Sequence, residues 1–194
     1  GAAVDEMDRL IGILSRHDSG SPLAVLNHTG ELRGAPEELA TLLRASLDMN
    51  RDSHGAFDVT VQPVLDLFEA HRGLPADAAV REALGHVGSR HVIMEGNDVR
   101  LDDERVRVTL DGIAPGFIVD RLSDVLAAHG VESHLVNASG DIRVRGRRAD
   151  GRPWHIAVQD PEKTGRYPDV IEMGSGAVST SGSYEIYFDR HHIH

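Results

Sequence analysis

The segment Thr109 to Asp120 reads Thr-Leu-Asp-Gly-Ile-Ala-Pro-Gly-Phe-Ile-Val-Asp. A strand-like run passes through small residues into a long helical pattern. A junction of this kind leaves backbone amides free at the helix start, where they favour phosphate. Small residues also let a ligand's phosphates or a metal approach the backbone closely. The same spacing serves a purely structural strand–Gly–helix turn, and from this stretch alone both readings stand. No GxGxxG accompanies it, so it is not a dinucleotide fingerprint.

Three further segments have residue types suited to a site. Gly55-Ala56-Phe57-Asp58-Val59-Thr60 offers a loop for close approach, a ring to stack and a carboxylate to accept from ring N–H groups or sugar hydroxyls. It equally suits a helix entry with Asp58 as N-cap and Phe57 as a hydrophobic staple. Val136 to Ile142 reads as a hairpin, with Asn137 and Asp141 either at a site or shaping the turn. Gly176 to Glu185 gathers hydroxyls and glycines at a strand end, as a phosphate-contacting loop or an ordinary turn does. There is no GxSxG elbow, no P-loop and no HExxH.

Composition limits the chemistry further. The chain of 194 residues has no cysteine, which removes disulfides, zinc–thiolate sites and thiol catalysis. A formal net charge of -11 gives no general affinity for nucleic acid or anionic membrane. An anionic ligand would be held locally, by backbone amides or a metal. The 12 histidines are scattered, and the group His191, His192 and His194 reads as a tail or exposed loop. No apolar run approaches membrane-spanning length, and no targeting pattern opens the chain.

These segments need elements to hold them. Apolar spacing predicts helices over Gly1–Leu14, from Pro36 through Leu47, over Val59–Ala70, over Asp77–Leu84 and over Phe117–His129, the last closed by Gly130. Leu23 to Asn27 is a short apolar stretch after an Asp18–Pro22 turn. Strands are expected at Val87–Met94, Val99–Leu101, Arg105–Leu110, Ser133–Asn137, Ile142–Arg145, His155–Gln159, Val170–Met173 and Ala177–Ser179. Helices dominate the first half and strands the second, which predicts an α+β fold.

The order of the motifs adds what none of them has alone. GAFDVT, LDGIAPGFIVDRL, LVNASGDIRVRG, Pro153-Trp154, Gln159-Asp160-Pro161 and AVSTSGSYE follow one another at the spacing of the ApbE family, which the chain resembles from about Met7 to Tyr184. Ser15 to Asn27 is similar to that family's helix end and Ser…Leu-Asn turn. The resemblance implies a single ApbE-like, T-fold-related α+β domain over 1–194, with mixed or antiparallel sheets and helices packed around them. It also implies that an N-terminal strand and a C-terminal metal-ligand segment lie outside these residues.

The implied activity is Mg2+-dependent transfer of FMN from FAD to a Thr or Ser hydroxyl of a partner flavoprotein, with release of AMP. The alternatives are hydrolysis of FAD to FMN and AMP, or flavin-nucleotide binding without catalysis. By matching position, the resemblance assigns ligand contacts to His17, Ala56, Phe57, Asp58, Thr109, Pro115, Asp120, Ser181 and Gly182, and a metal-holding carbonyl to Gly112. Thr109 falls where many members have Asp, Pro115 where most have Lys or another polar residue, and Ser183 where an Asp is common. No catalytic base is assigned. The resemblance places the protein at the periplasmic side of a bacterial cell envelope, with a cytoplasmic location left open.

Overall fold

The structure, a computed structural model, describes residues 1–71, 74–138, 140–162 and 164–181. Gly182, Ser183 and the histidines at 191, 192 and 194 lie outside the described residues. The chain divides into two compact units, Asp8–Ala114 and Gly1–Met7 with Pro115–His194.

The Asp8–Ala114 unit holds most of the buried leucines. Helix α1 (Ala2–Leu14) contributes Leu10 and Leu14. Helix α2 (Pro22–Thr29) forms where only an apolar stretch was expected. Its start is capped by Ser21, whose side-chain oxygen accepts from the Ala24 N–H at 3.0 Å, and Pro22 presets the first turn. Gly30 ends it at φ 74, a left-handed conformation that glycine adopts without penalty. Helix α3 (Glu37–Asp52) buries Leu39, Ala40, Leu42 and Leu43 along one stripe. Each fully buried leucine contributes roughly 1.5–3 kcal/mol. Helices α4 (Gln62–Ala70) and α5 (Asp77–Leu84) follow. Helix α4 begins later than the expected Val59 because Asp58 to Thr60 close a side-chain-bonded turn.

Three short strands, β1 (Glu31–Leu32), β2 (Val92–Glu95) and β3 (Asp98–Leu101), form an antiparallel sheet in the order β1-β3-β2. The expected strand over Val87–Met94 is shorter, because a 3-10 turn at Ser89–His91 precedes it.

Arg105 lies in a turn and Val106 to Leu110 belong to no sheet, which corrects the strand expected there. Val106, Val108 and Leu110 are buried, as the alternation requires. The ladder partner is a side chain. The Asn27 amide nitrogen donates to the Val108 carbonyl at 2.8 Å, and its oxygen accepts from the Val108 N–H at 2.7 Å. One side chain thus satisfies both backbone groups of a buried residue, as a neighbouring strand would.

In the second unit, helix α6 (Ala114–Ala128) starts earlier than the expected Phe117 and takes Pro115 into its first turn, where a missing N–H costs nothing. It closes with Val131 N–H to Leu126 O at 3.0 Å and Gly130 N–H to Ala127 O at 3.0 Å, with Gly130 left-handed at φ 81. Strands β4 (His134–Ala138), β5 (Asp141–Arg145) and β8 (Gly176–Ser179) form an antiparallel sheet in the order β4-β5-β8. Strands β6 (Trp154–Val158) and β7 (Asp169–Met173) form a separate antiparallel pair. His134 is buried and both its nitrogens are engaged, with Ser123 Oγ at 2.7 Å and the Val131 carbonyl at 2.8 Å. It is a core histidine.

Candidate functional site

Two of the motif loops meet within the Asp8–Ala114 unit. The Thr109 N–H donates to the Val59 carbonyl at 2.8 Å, which ties the Gly55–Thr60 loop to the start of Thr109–Gly112. The half-buried Phe57 ring packs beside Gly112, where a Cβ would stand 3.4 Å from Phe57 Cε2. Ala56 and Gly112 are exposed beside it. The sequence placed these residues in separate stretches, and the fold brings them together.

Asp58 organises the first loop. Its Oδ1 accepts from the Thr60 N–H at 2.8 Å and the Thr60 hydroxyl at 2.6 Å. Its Oδ2 accepts from the Asn50 amide at 3.0 Å and the Ser89 N–H at 3.1 Å. A carboxylate has about four lone-pair sites, and internal donors take all of them. Asp58 therefore holds the loop and is not free to accept from a ligand. Nor does it cap α4, whose N-cap position is Val61. Asn50 also donates to the Phe57 carbonyl at 2.7 Å, and Thr60 Oγ accepts the Gly88 N–H at 2.6 Å.

The segment that lends the Gly88 and Ser89 amides is itself braced. His86 Nδ1 lies 2.8 Å from Asp103 Oδ2, and His91 Nδ1 lies 2.6 Å from Asp102 Oδ1. The Arg105 N–H, followed by His86, holds the Asp103 carboxyl below the usual carboxylate range.

Thr109 is buried, and its hydroxyl accepts the Asp111 N–H at 3.2 Å, so it shapes its own loop. The Thr109 hydroxyl keeps its proton to donate. Asp111 is held by Arg16, whose Nε lies 2.9 Å from Asp111 Oδ2. Arg16 was not singled out from sequence, because a lone arginine at a helix end has no distinguishing pattern. His17, beside it, is exposed and lines an open cavity of about 380 Å³ together with Arg16 and His28.

The remaining assigned residues lie in the second unit. Pro115 is half-buried in the first turn of α6. Asp120 is exposed on α6, 3.7 Å from Arg143 Nε, and borders a hollow of about 310 Å³ with Asp141 and Ser179. Asn137 Oδ1 accepts the Gly140 N–H at 3.2 Å, so it shapes the β4–β5 turn. Ser181 is exposed.

Among the described residues no three His, Asp or Glu side chains gather as a metal cage. The oxygen donors closest in sequence to the assigned metal position are the Gly112 carbonyl and the Asp111 carboxylate. Both are hard ligands of the kind Mg2+ takes, and Mg2+ often binds only one or two carboxylates plus substrate phosphates. No helix among the described residues is long and apolar enough to cross a membrane.

Comparison with known proteins gives the geometry its context. The model of the ApbE family matches residues 1–194. An FAD:protein FMN transferase of Vibrio cholerae is 32% identical over 189 residues, covering 94% of this chain and 54% of the relative. One from Treponema pallidum is 30% identical over 224 residues, covering 99% of this chain and 61% of the relative. Among solved structures, the ApbE protein from Thermotoga maritima superposes with a TM-score of 0.89 at 30% identity, covering 99% of this chain and 64% of that one. The flavin transferase ApbE from Vibrio cholerae gives 0.85 at 29% identity, covering 97% of this chain and 66% of that one. The chain spans about half the length of the first curated relatives it matches.

Proposed function

The chain belongs to the ApbE family, and from that premise we propose that its loops form part of a site that transfers FMN from FAD to a Thr or Ser hydroxyl of a partner flavoprotein. The observation that carries the proposal is the junction of the two motif loops, with the Phe57 ring edge beside Gly112 and the Thr109 N–H bonded to the Val59 carbonyl. An aromatic ring beside exposed small residues suits a flat ligand that must approach the backbone closely.

In the proposed reaction the acceptor hydroxyl oxygen bonds to the phosphorus of the FMN moiety. The pyrophosphate bond to the AMP moiety breaks, AMP leaves with the bond's electron pair, and the hydroxyl proton passes to a base. Mg2+, when bound, neutralises charge on the phosphates. Gly112 O and Asp111 are the groups of this unit that would hold it. Phe57 orients, and the Asp58 network keeps the loop in one conformation. Ligand roles for His17, Ala56, Pro115, Asp120, Ser181 and Gly182 belong to the same proposal, as does a cell-envelope location.

Pro115 brings neither charge nor N–H to the site, which favours a second reading as a flavin-nucleotide binder without transfer. Incubation of the full-length protein with FAD, Mg2+ and a Thr-bearing acceptor decides between them. The expected result is an acceptor mass gain of one FMN with matching AMP release. FAD binding without mass gain would reject transfer, and AMP release without acceptor would identify hydrolysis.

A further inference from the structure

The cavity between the end of α1 and helix α2 has a charge pattern opposite to that of the chain. The chain has a net charge of -11, yet the cavity's ionisable lining is Arg16, His17 and His28, with no carboxylate among the described lining residues. Its volume of about 380 Å³ would admit a nucleotide-sized group. Arg16 is the lining residue that faces carboxylates outside the cavity. Its side chain is only 16% exposed, with Nε 2.9 Å from Asp111 Oδ2 and a terminal nitrogen 3.8 Å from Glu69 Oε1. Asp111 is 57% exposed and directly precedes Gly112.

We propose that Arg16 binds phosphate in this cavity and that a phosphate ligand takes the guanidinium from Asp111, releasing that carboxylate beside Gly112. The inference rests on the flavin-nucleotide reading for the identity of the ligand, a dinucleotide with a pyrophosphate. Its physical basis is independent of that reading. A guanidinium is a rigid fork of N–H donors that matches phosphate, and phosphate offers more charge and more acceptor oxygens than one carboxylate. The exchange gives up the Arg16 contacts to Asp111 and Glu69, and the 57%-exposed Asp111 carboxylate rehydrates on release. Linkage then makes the exchange reciprocal. Whatever holds the Asp111 carboxylate elsewhere, a divalent cation included, tightens phosphate on Arg16. The pair becomes a coupling device between an anion in the cavity and a cation at the Asp111–Gly112 turn.

The experiment is equilibrium titration of the full chain with AMP, inorganic pyrophosphate, FAD and riboflavin in chelator, with far-UV circular dichroism on every variant. Arg16→Gln is expected to weaken AMP, pyrophosphate and FAD about tenfold and to leave riboflavin nearly unchanged, because riboflavin lacks phosphate. Asp111→Asn is expected to tighten AMP about two- to fivefold, because the competitor for Arg16 is gone. Arg16→Lys keeps the charge without the fork, and should fall between wild type and Arg16→Gln. It carries the test if Arg16→Gln does not fold. Unchanged AMP affinity in the Arg16 variants overturns the phosphate role, and unchanged or weaker AMP binding in Asp111→Asn overturns the exchange. Wild type that binds AMP and pyrophosphate but not FAD would sink the flavin reading while leaving Arg16 in place. Binding of FAD with no Arg16 or Asp111 effect does the reverse, and binding of no probe overturns both.

Discussion

Replacing Asp58 with Ala should cost this protein more in stability than any other single change in its motif loops. The carboxylate accepts from four donors, and two of them belong to Thr60, which is 0% exposed. Removal leaves the Thr60 N–H and hydroxyl in a site with no replacement acceptor. Each stranded buried donor costs about 1–3 kcal/mol. The Asn50 amide keeps its bond to the Phe57 carbonyl at 2.7 Å, and Ser89 is only half-buried, so these add less. The sum is about 4 kcal/mol. For a chain of this size each kcal/mol shifts Tm by about 2–4 °C, so the expected fall is roughly 8–16 °C. Asp58→Asn keeps an acceptor for Thr60 but turns an N–H₂ toward two donors, and should lose about half as much. Urea denaturation gives the free energies, and thermal melts give Tm. FAD titration at about 10 °C, where the variants remain folded, separates binding from folding. A Tm within about 2 °C of wild type, with FAD affinity abolished, would refute the loop-organising role and return Asp58 to direct ligand contact.

Two further changes probe the frame around that loop. Asn27→Asp removes the donor to the Val108 carbonyl and sets a carboxylate oxygen against it, leaving a buried backbone group unpaired, so urea unfolding should report a loss of about 2–4 kcal/mol. A loss under about 0.5 kcal/mol would show that the bridge is dispensable. Asp103 is held below its ordinary range first by the Arg105 N–H and then by His86, so its contribution is present above its unfolded value and is lost as pH falls through the folded one. The gap in urea midpoint between wild type and Asp103→Asn should be flat above about pH 5 and close below about pH 4. A gap that persists unchanged to about pH 3 would contradict the assignment.

What the sequence reveals and what it hides follow from the range of the interactions. Helices α3 and α5 are signalled by local residues, and they form where expected. Helix α2 is signalled as well, by Ser21, Pro22 and Gly30, but it is only 8 residues long and reads as a turn and a short apolar stretch. The alternation at Arg105–Leu110 marks burial correctly. It does not reveal that the partner is Asn27, because a side-chain ladder has no period. Asp58 shows the same limit. Its type suits a cap or a ligand contact, and only the positions of Asn50 and Ser89 decide what it does. Nothing in its local sequence singles out Arg16, and its role depends on a contact 95 residues away in sequence. The family resemblance supplies the site's composition, whereas nonlocal contacts supply its chemistry.

The Asn27 bridge also bears on the order of assembly. It joins positions 81 residues apart. A contact of that span brings back stabilisation only after the intervening loop has been closed. The run that delivers Thr109 to Val59 therefore cannot be held until α2 and the β1-β3-β2 sheet are in place. On a chain emerging from the ribosome, the helices and hairpin form first from near neighbours. The junction of the two motif loops is then among the last parts of its unit to become rigid, and in native-state hydrogen exchange it should be among the first to open.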